Sequence, residues 1–179
     1  MIKVLRIILI LVGLGWVLWT MNIQILKTEK ITQDGTLVYL QLRPVDPRAL
    51  MQGDYMALGY AGDIYPEDTD GLPASGTLVL KLDENAVATY ARRDDGTALR
   101  AYEIRINYAL HGTRVEYGGG RYFFQEGTAD AYTPARYGVF RVSPEGRAIL
   151  VALADENRTI LSPTPDDATA SDAPPATNR

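Results

Sequence analysis

The stretch Tyr102-Glu-Ile-Arg-Ile-Asn-Tyr-Ala-Leu110 decides the fold class. Tyr102, Ile104, Ile106, Tyr108 and Leu110 fall on one side of an extended chain, and Glu103, Arg105 and Asn107 fall on the other. That two-residue period is the signature of a half-buried strand. Residues 77–82 and 148–153, rich in leucine, isoleucine and valine, read as two further strands. Shorter runs at 37–42, 54–60, 87–91, 114–117, 122–124 and 138–142 bring the set to about nine. Turn signals separate them: Asp34-Gly35, Asp95-Gly96, Gly118-Gly-Gly120 and Ser143-Pro-Glu-Gly146. Helix is limited to a turn over 47–52 and a short piece within 128–136, interrupted by Pro134. The expectation is an all-β fold, a small partly closed barrel or sandwich, with one N-terminal transmembrane helix.

That helix is read from Ile7-Ile-Leu-Ile-Leu-Val-Gly-Leu-Gly-Trp-Val-Leu-Trp-Thr-Met21, which carries no charge and follows Lys3 and Arg6. Val4 and Leu5 extend it upstream past Arg6, and Ile23, Ile25 and Leu26 extend it downstream, so that with Arg6 snorkelling a span of about 20 residues is available for a bilayer. Trp16 and Trp19 would sit near the far interface. A cleaved signal peptide is the competing reading, but no small-x-small pair follows the apolar run, so the segment is expected to stay as an anchor. Lys3 and Arg6 favour a cytoplasmic N-terminus, which puts the rest of the chain outside the bacterial cytoplasmic membrane. The chain then divides into an anchor and connector (1–30), an extracytoplasmic β domain (31–161) and a proline-rich tail (162–179). The tail has no large apolar residue and is expected to be disordered.

Composition removes several functions. The net charge is −4, which does not suit an unspecific nucleic-acid binder. Cysteine is absent, so there is no disulfide, thiolate metal site or cysteine nucleophile. His111 is the only histidine, too few for a zinc site or a relay pair. The acidic loop Gly62-Asp-Ile-Tyr-Pro-Glu-Asp-Thr-Asp-Gly71 departs from the calcium-loop pattern at its first and last positions, Pro66 and Thr77, and reads as a solvated loop. No cofactor and no metal are expected.

One segment combines several signals: Pro44-Val-Asp-Pro-Arg-Ala-Leu-Met-Gln-Gly-Asp-Tyr-Met-Ala-Leu-Gly-Tyr60. Asp46 can cap a short turn that Pro47 opens and Gly53 closes. Beyond it, Asp54, Met56, Leu58 and Tyr60 share one face of a strand, with Tyr55, Ala57 and Gly59 on the other. Asp46 and Asp54 could be paired carboxylates, but capping and turn roles suit them better. The residues Gly53-Asp-Tyr-x-x-Leu-x-Tyr60 after Pro44-Val-Asp-Pro-Arg48 resemble the bacterial membrane-anchored family named for that motif, the GDYXXLXY proteins. The resemblance implies an architecture, and company with polytopic membrane proteins, rather than an activity.

A weaker similarity joins Val45-Asp-Pro47 with Gly53-Asp54, and Gly120-Arg-Tyr-Phe-Phe-Gln-Glu-Gly-Thr-Ala-Asp-Ala-Tyr-Thr-Pro-Ala-Arg-Tyr-Gly138, to the type I signal peptidase superfamily. The catalytic residues of that superfamily are missing. Pro44 stands where its serine would be, and arginine replaces its lysine near Tyr90-Ala-Arg-Arg93. Arginine stays protonated and cannot act as the base. The other hydroxyl and amine candidates in the folded part are Ser75, Ser143 and Lys81.

These readings point to a non-enzymatic accessory or binding module, partnered by another integral membrane protein or an envelope component. A membrane-anchored hydrolase and a small-ligand-binding β domain are the alternatives. The candidate surface comprises Arg48, Asp54, Tyr55, Leu58 and Tyr60 with Tyr122, Glu126 and Arg136. A purely structural pairing of these two segments is an equally open reading. The excess of tyrosine, eleven against three phenylalanines, suits both half-buried sheet faces and interfaces.

Overall fold

The computed structural model describes residues 2–43, 55–69, 71–125 and 128–163. Helix α1 (Ile2–Asp34) is long and apolar enough to cross a membrane. Its large side chains from Leu9 to Leu26 stand exposed, except Ile23, which is half-buried. The helix does not stop at the end of the apolar run. It continues through the expected connector to Asp34, and the Gly35 N–H closes it on the Ile31 carbonyl at 2.9 Å. Asp34-Gly35, read from the sequence as a turn signal, is therefore a helix end.

Nine strands follow among the described residues: β1 (Thr36–Gln41), β2 (Tyr55–Ala57), β3 (Ser75–Leu82), β4 (Ala88–Arg93), β5 (Glu103–His111), β6 (Arg114–Tyr117), β7 (Arg121–Phe123), β8 (Tyr137–Val142) and β9 (Ala148–Ala154). They form antiparallel sheets in the orders β1-β8-β9, β4-β3-β5-β6 and β2-β7. Single bonds stitch the sheets into a half-barrel. The Tyr39 N–H reaches the Ala86 carbonyl at 2.9 Å, joining β1 to the start of β4. The Asn107 N–H reaches Gly146 at 2.7 Å, joining β5 to the β8–β9 turn. Register shifts opposite Val79/Leu80 and Val139/Phe140 bulge β4 and β9, which supplies the bend that closure needs.

The core lies inside this half-barrel. Val38, Leu40, Leu78, Leu80, Ile106, Tyr117, Phe140 and Leu153 are fully buried, each on an inward position of its strand. β5 follows the expected alternation from Ile104 onward, but Tyr102 is 72% exposed. Its φ of 64° turns the backbone there, so that its carbonyl accepts the Leu82 N–H at 2.8 Å while the ring swings outward. The expected helix within 128–136 is a single 3-10 turn, Ala129–Tyr132. The loop after Tyr60 is less solvated than its acids suggested. A 3-10 turn, Gly62–Ile64, places Ile64 wholly in the core and leaves Asp63 and Glu67 outside. Of the expected tail, residues 164–179 lie outside the described residues, as does the expected turn over 47–52.

Candidate functional site

The motif strand has two faces with different destinations. Met56, Leu58 and Tyr60 are buried in the core, on alternate positions of β2 and the extended chain that follows it. Tyr60 continues the strand by bridging Leu42, with the Arg43 N–H on the Gly59 carbonyl at 2.8 Å. Its hydroxyl donates to the Tyr117 carbonyl at 3.1 Å, and the Tyr117 hydroxyl donates to the Ile64 carbonyl at 2.6 Å. The two rings meet edge to face at 5.2 Å. Burial pushes both phenols well above the ordinary tyrosine range, and Glu116 adds to the shift at Tyr60. Leu58 and Tyr60 thus hold the fold together.

The other face is open. Tyr55 pairs with Phe123 across the β2–β7 ribbon, their rings 5.9 Å apart. The Arg121 guanidinium lies over the Tyr55 ring at 5.3 Å, a cation–π contact. Phe123 is 69% exposed. Tyr122 points the opposite way, 5.3 Å from the Tyr132 ring, and its phenol is pushed up to about 12 by burial first and then by a hydrogen bond with Tyr132. Arg136 is exposed. Its backbone does the structural work, accepting from Leu42 and donating to Ala154, both at 2.8 Å. Arg48, Asp54 and Glu126 lie outside the described residues. Of the sequence candidates, the structure therefore brings Tyr55 and Tyr122 together on one ribbon, on its two sides.

Beside that ribbon runs an open groove of about 630 Å³, lined among others by Thr28, Arg121, Phe123, Arg147 and Leu150. Thr28 belongs to α1, so the groove lies at the junction of helix and β domain. Among the described residues no ion pair engages Arg121 or Arg147. Sequence reasoning passed over Arg121, Phe123 and Arg147. The one available signal was that consecutive aromatics in a strand, Tyr122 and Phe123, cannot both face inward.

The candidate hydrolytic groups are dispersed. Ser75 and Lys81 sit at opposite ends of β3, about 20 Å apart at strand spacing. Ser143 is buried, and its hydroxyl accepts the Arg147 N–H at 3.2 Å. The arginines at the end of β4 hold structure. Arg92 bridges Asp95 at 2.7 Å and Glu103 at 3.1 Å, and Arg93 donates to the Gly71 carbonyl at 3.0 Å. His111 is exposed, 3.5 Å from Glu116. Among the described residues no cluster of acids and histidine has the makings of a metal site.

Fold and groove together define a small all-β domain carried on an apolar N-terminal helix. The chain belongs to the GDYXXLXY protein family, whose model matches residues 17–153. Searches of curated proteins and of solved structures found no match, and the likeness to the signal peptidase superfamily gains no support from any of these comparisons.

Proposed function

We propose that the protein is a membrane-anchored accessory or binding module without enzymatic activity. Its β domain stands on the outer side of the bacterial cytoplasmic membrane and engages another integral membrane protein or an envelope component. The observation that supports this reading is the joint between helix and domain. The helix enters the β domain without a flexible linker. The Arg141 guanidinium, on the central strand β8, donates to the Gly35 carbonyl at 3.0 Å, and a Cβ on Gly35 would run into the Ile31 carbonyl and the Val142 N–H. Helix and sheet thus behave as one body, and the domain is held at a fixed height above the bilayer. Such a domain suits a partner that also lies at the membrane surface, because reach into the surrounding space would call for a flexible connector.

Affinity capture of the full chain from native membranes in mild detergent, with residues 1–30 alone as control, tests this. A stoichiometric partner that requires the β domain is expected. A preparation in which the full chain and the anchor retain the same proteins would overturn the reading.

A further inference from the structure

The groove lies at a particular depth. Ile7 to Leu26 is a run of twenty residues without a charge, bracketed by Arg6 and Lys27. At 1.5 Å per residue it spans about 30 Å, the thickness of the hydrocarbon core, and holds Trp16 and Trp19 inside that core rather than at the far interface expected for them. Thr28, two residues further on, then stands about 3 Å beyond the hydrocarbon edge, inside a headgroup layer roughly 5–7 Å deep. Thr28 lines the same groove as Arg121, Phe123 and Arg147. The helix–domain joint at Gly35 carries that depth over to the sheet, so these side chains share the level of the headgroups.

The chemistry at that level suits an interface. Phe123 is 69% exposed, Tyr55 sits beside it, and Arg121 lies over the Tyr55 ring. Aromatic rings are favoured at the boundary between headgroups and acyl chains, and arginines are favoured beside lipid phosphates. Acids are present at this end too, Glu29 and Asp34 on the helix and Glu145 in the β8–β9 turn, but none lines the groove. Glu145 is already engaged, its carboxyl held below the usual range chiefly by a hydrogen bond to Ser143 and in part by Lys30.

We propose that the β2–β7 ribbon is a second membrane contact, with Phe123 and Tyr55 entering the headgroup–acyl boundary of the leaflet from which α1 emerges, and Arg121 and Arg147 pairing with lipid phosphates. This rests on the reading of α1 as a membrane span. The consequence is a β domain laid down on the bilayer in one orientation, which fixes the faces left for a protein partner.

The chain contains no cysteine, so single-cysteine variants report cleanly. Phe123→Cys and Glu84→Cys in the full-length protein would each carry an environment-sensitive fluorophore, in vesicles of phosphatidylethanolamine and phosphatidylglycerol with spin-labelled lipid. Both positions are exposed, so neither substitution touches the core. Glu84 lies in the β3–β4 turn, past the Lys81–Glu103 pair and away from the Thr77–Asn107 pair near the groove. The chain's two tryptophans, Trp16 and Trp19, both lie in α1 and report the anchor in the same sample. Expected are quenched tryptophans, a blue-shifted fluorophore at 123 quenched by headgroup-level spin labels, and neither effect at 84. Quenched tryptophans with position 123 behaving like position 84 would overturn the second contact and leave the anchor standing. Unquenched tryptophans would overturn both.

Discussion

Replacing Tyr60 by phenylalanine and by alanine separates the two things its side chain does. The phenylalanine variant keeps the ring and deletes the hydroxyl that donates to the Tyr117 carbonyl at 3.1 Å. Such a loss costs about 1 kcal/mol, and up to about 3 when the remaining group is left buried without a donor. The alanine variant also removes the edge contact with Tyr117 at 5.2 Å and the tilted contact with Phe140 at 6.3 Å. Emptying a site of that kind costs about 3–5 kcal/mol. At about 4 °C per kcal/mol for a domain of this size, the expected losses in Tm are about 4 °C for Tyr60→Phe and about 12–20 °C for Tyr60→Ala. Near-UV circular dichroism on the full chain in detergent is the suitable assay. All eleven tyrosines lie beyond residue 30, whereas the helix supplies the two tryptophans. A Tyr60→Ala melt within a degree or two of the unaltered protein would refute the assignment of the motif tyrosine to the core.

Three further outcomes follow from the same geometry. Because Tyr60 and Tyr117 have folded pKa values above the ordinary value of 10, the folded chain holds phenolic protons that the unfolded chain releases. The stability they confer is complete below about pH 10 and falls above it, by about 2.7 kcal/mol per pH unit for two such groups. Urea titrations at pH 9 and pH 11 check this, and equal midpoints would contradict it. Gly118 has a φ of 59°, and a Cβ there would stand 2.7 Å from the Ala148 carbonyl oxygen. Gly118→Ala is therefore expected to cost more than about 1 kcal/mol in the same melts, and an unchanged Tm would count against this turn. For topology, Glu84→Cys in intact cells is expected to react with a membrane-impermeant maleimide added outside. Reaction only after the membrane is breached would place the β domain on the other side.

The fold was largely legible because strand signals are local. Local strand signals located eight of the nine described strands to within two residues, the exception being the motif run expected over 54–60, which is strand only over Tyr55–Ala57, and glycine-containing turns marked some of the ends. What escaped depended on long-range pairing. Tyr102 fits the alternation of β5 yet turns outward, because the chain needs a left-handed residue where Leu82 meets it. Ile64 sits in an acidic loop yet is buried, because the Tyr117 hydroxyl captures its carbonyl from more than fifty positions away. The candidate surface was harder to read. The motif's Leu58 and Tyr60 could not be sorted from Tyr55 without knowing which face meets the core. The groove, in turn, exists only because β7, β9 and the end of α1 meet, and no local pattern announces such a meeting. Arg121 on β7 and Arg147 in the β8–β9 turn, far apart in sequence, were invisible for that reason.

The central claim is that the β domain is held at a fixed height to meet a partner at the membrane surface. Insertion of about ten glycine and serine residues between Asp34 and Gly35 would add a coil with a reach of roughly 18 Å and dissolve the joint without entering the sheets. The measurement is the yield of co-purified partner from native membranes, insertion variant against unaltered chain, with near-UV circular dichroism verifying that both domains are folded. The account predicts that the partner is lost from the folded insertion variant. Retention at full yield would contradict it.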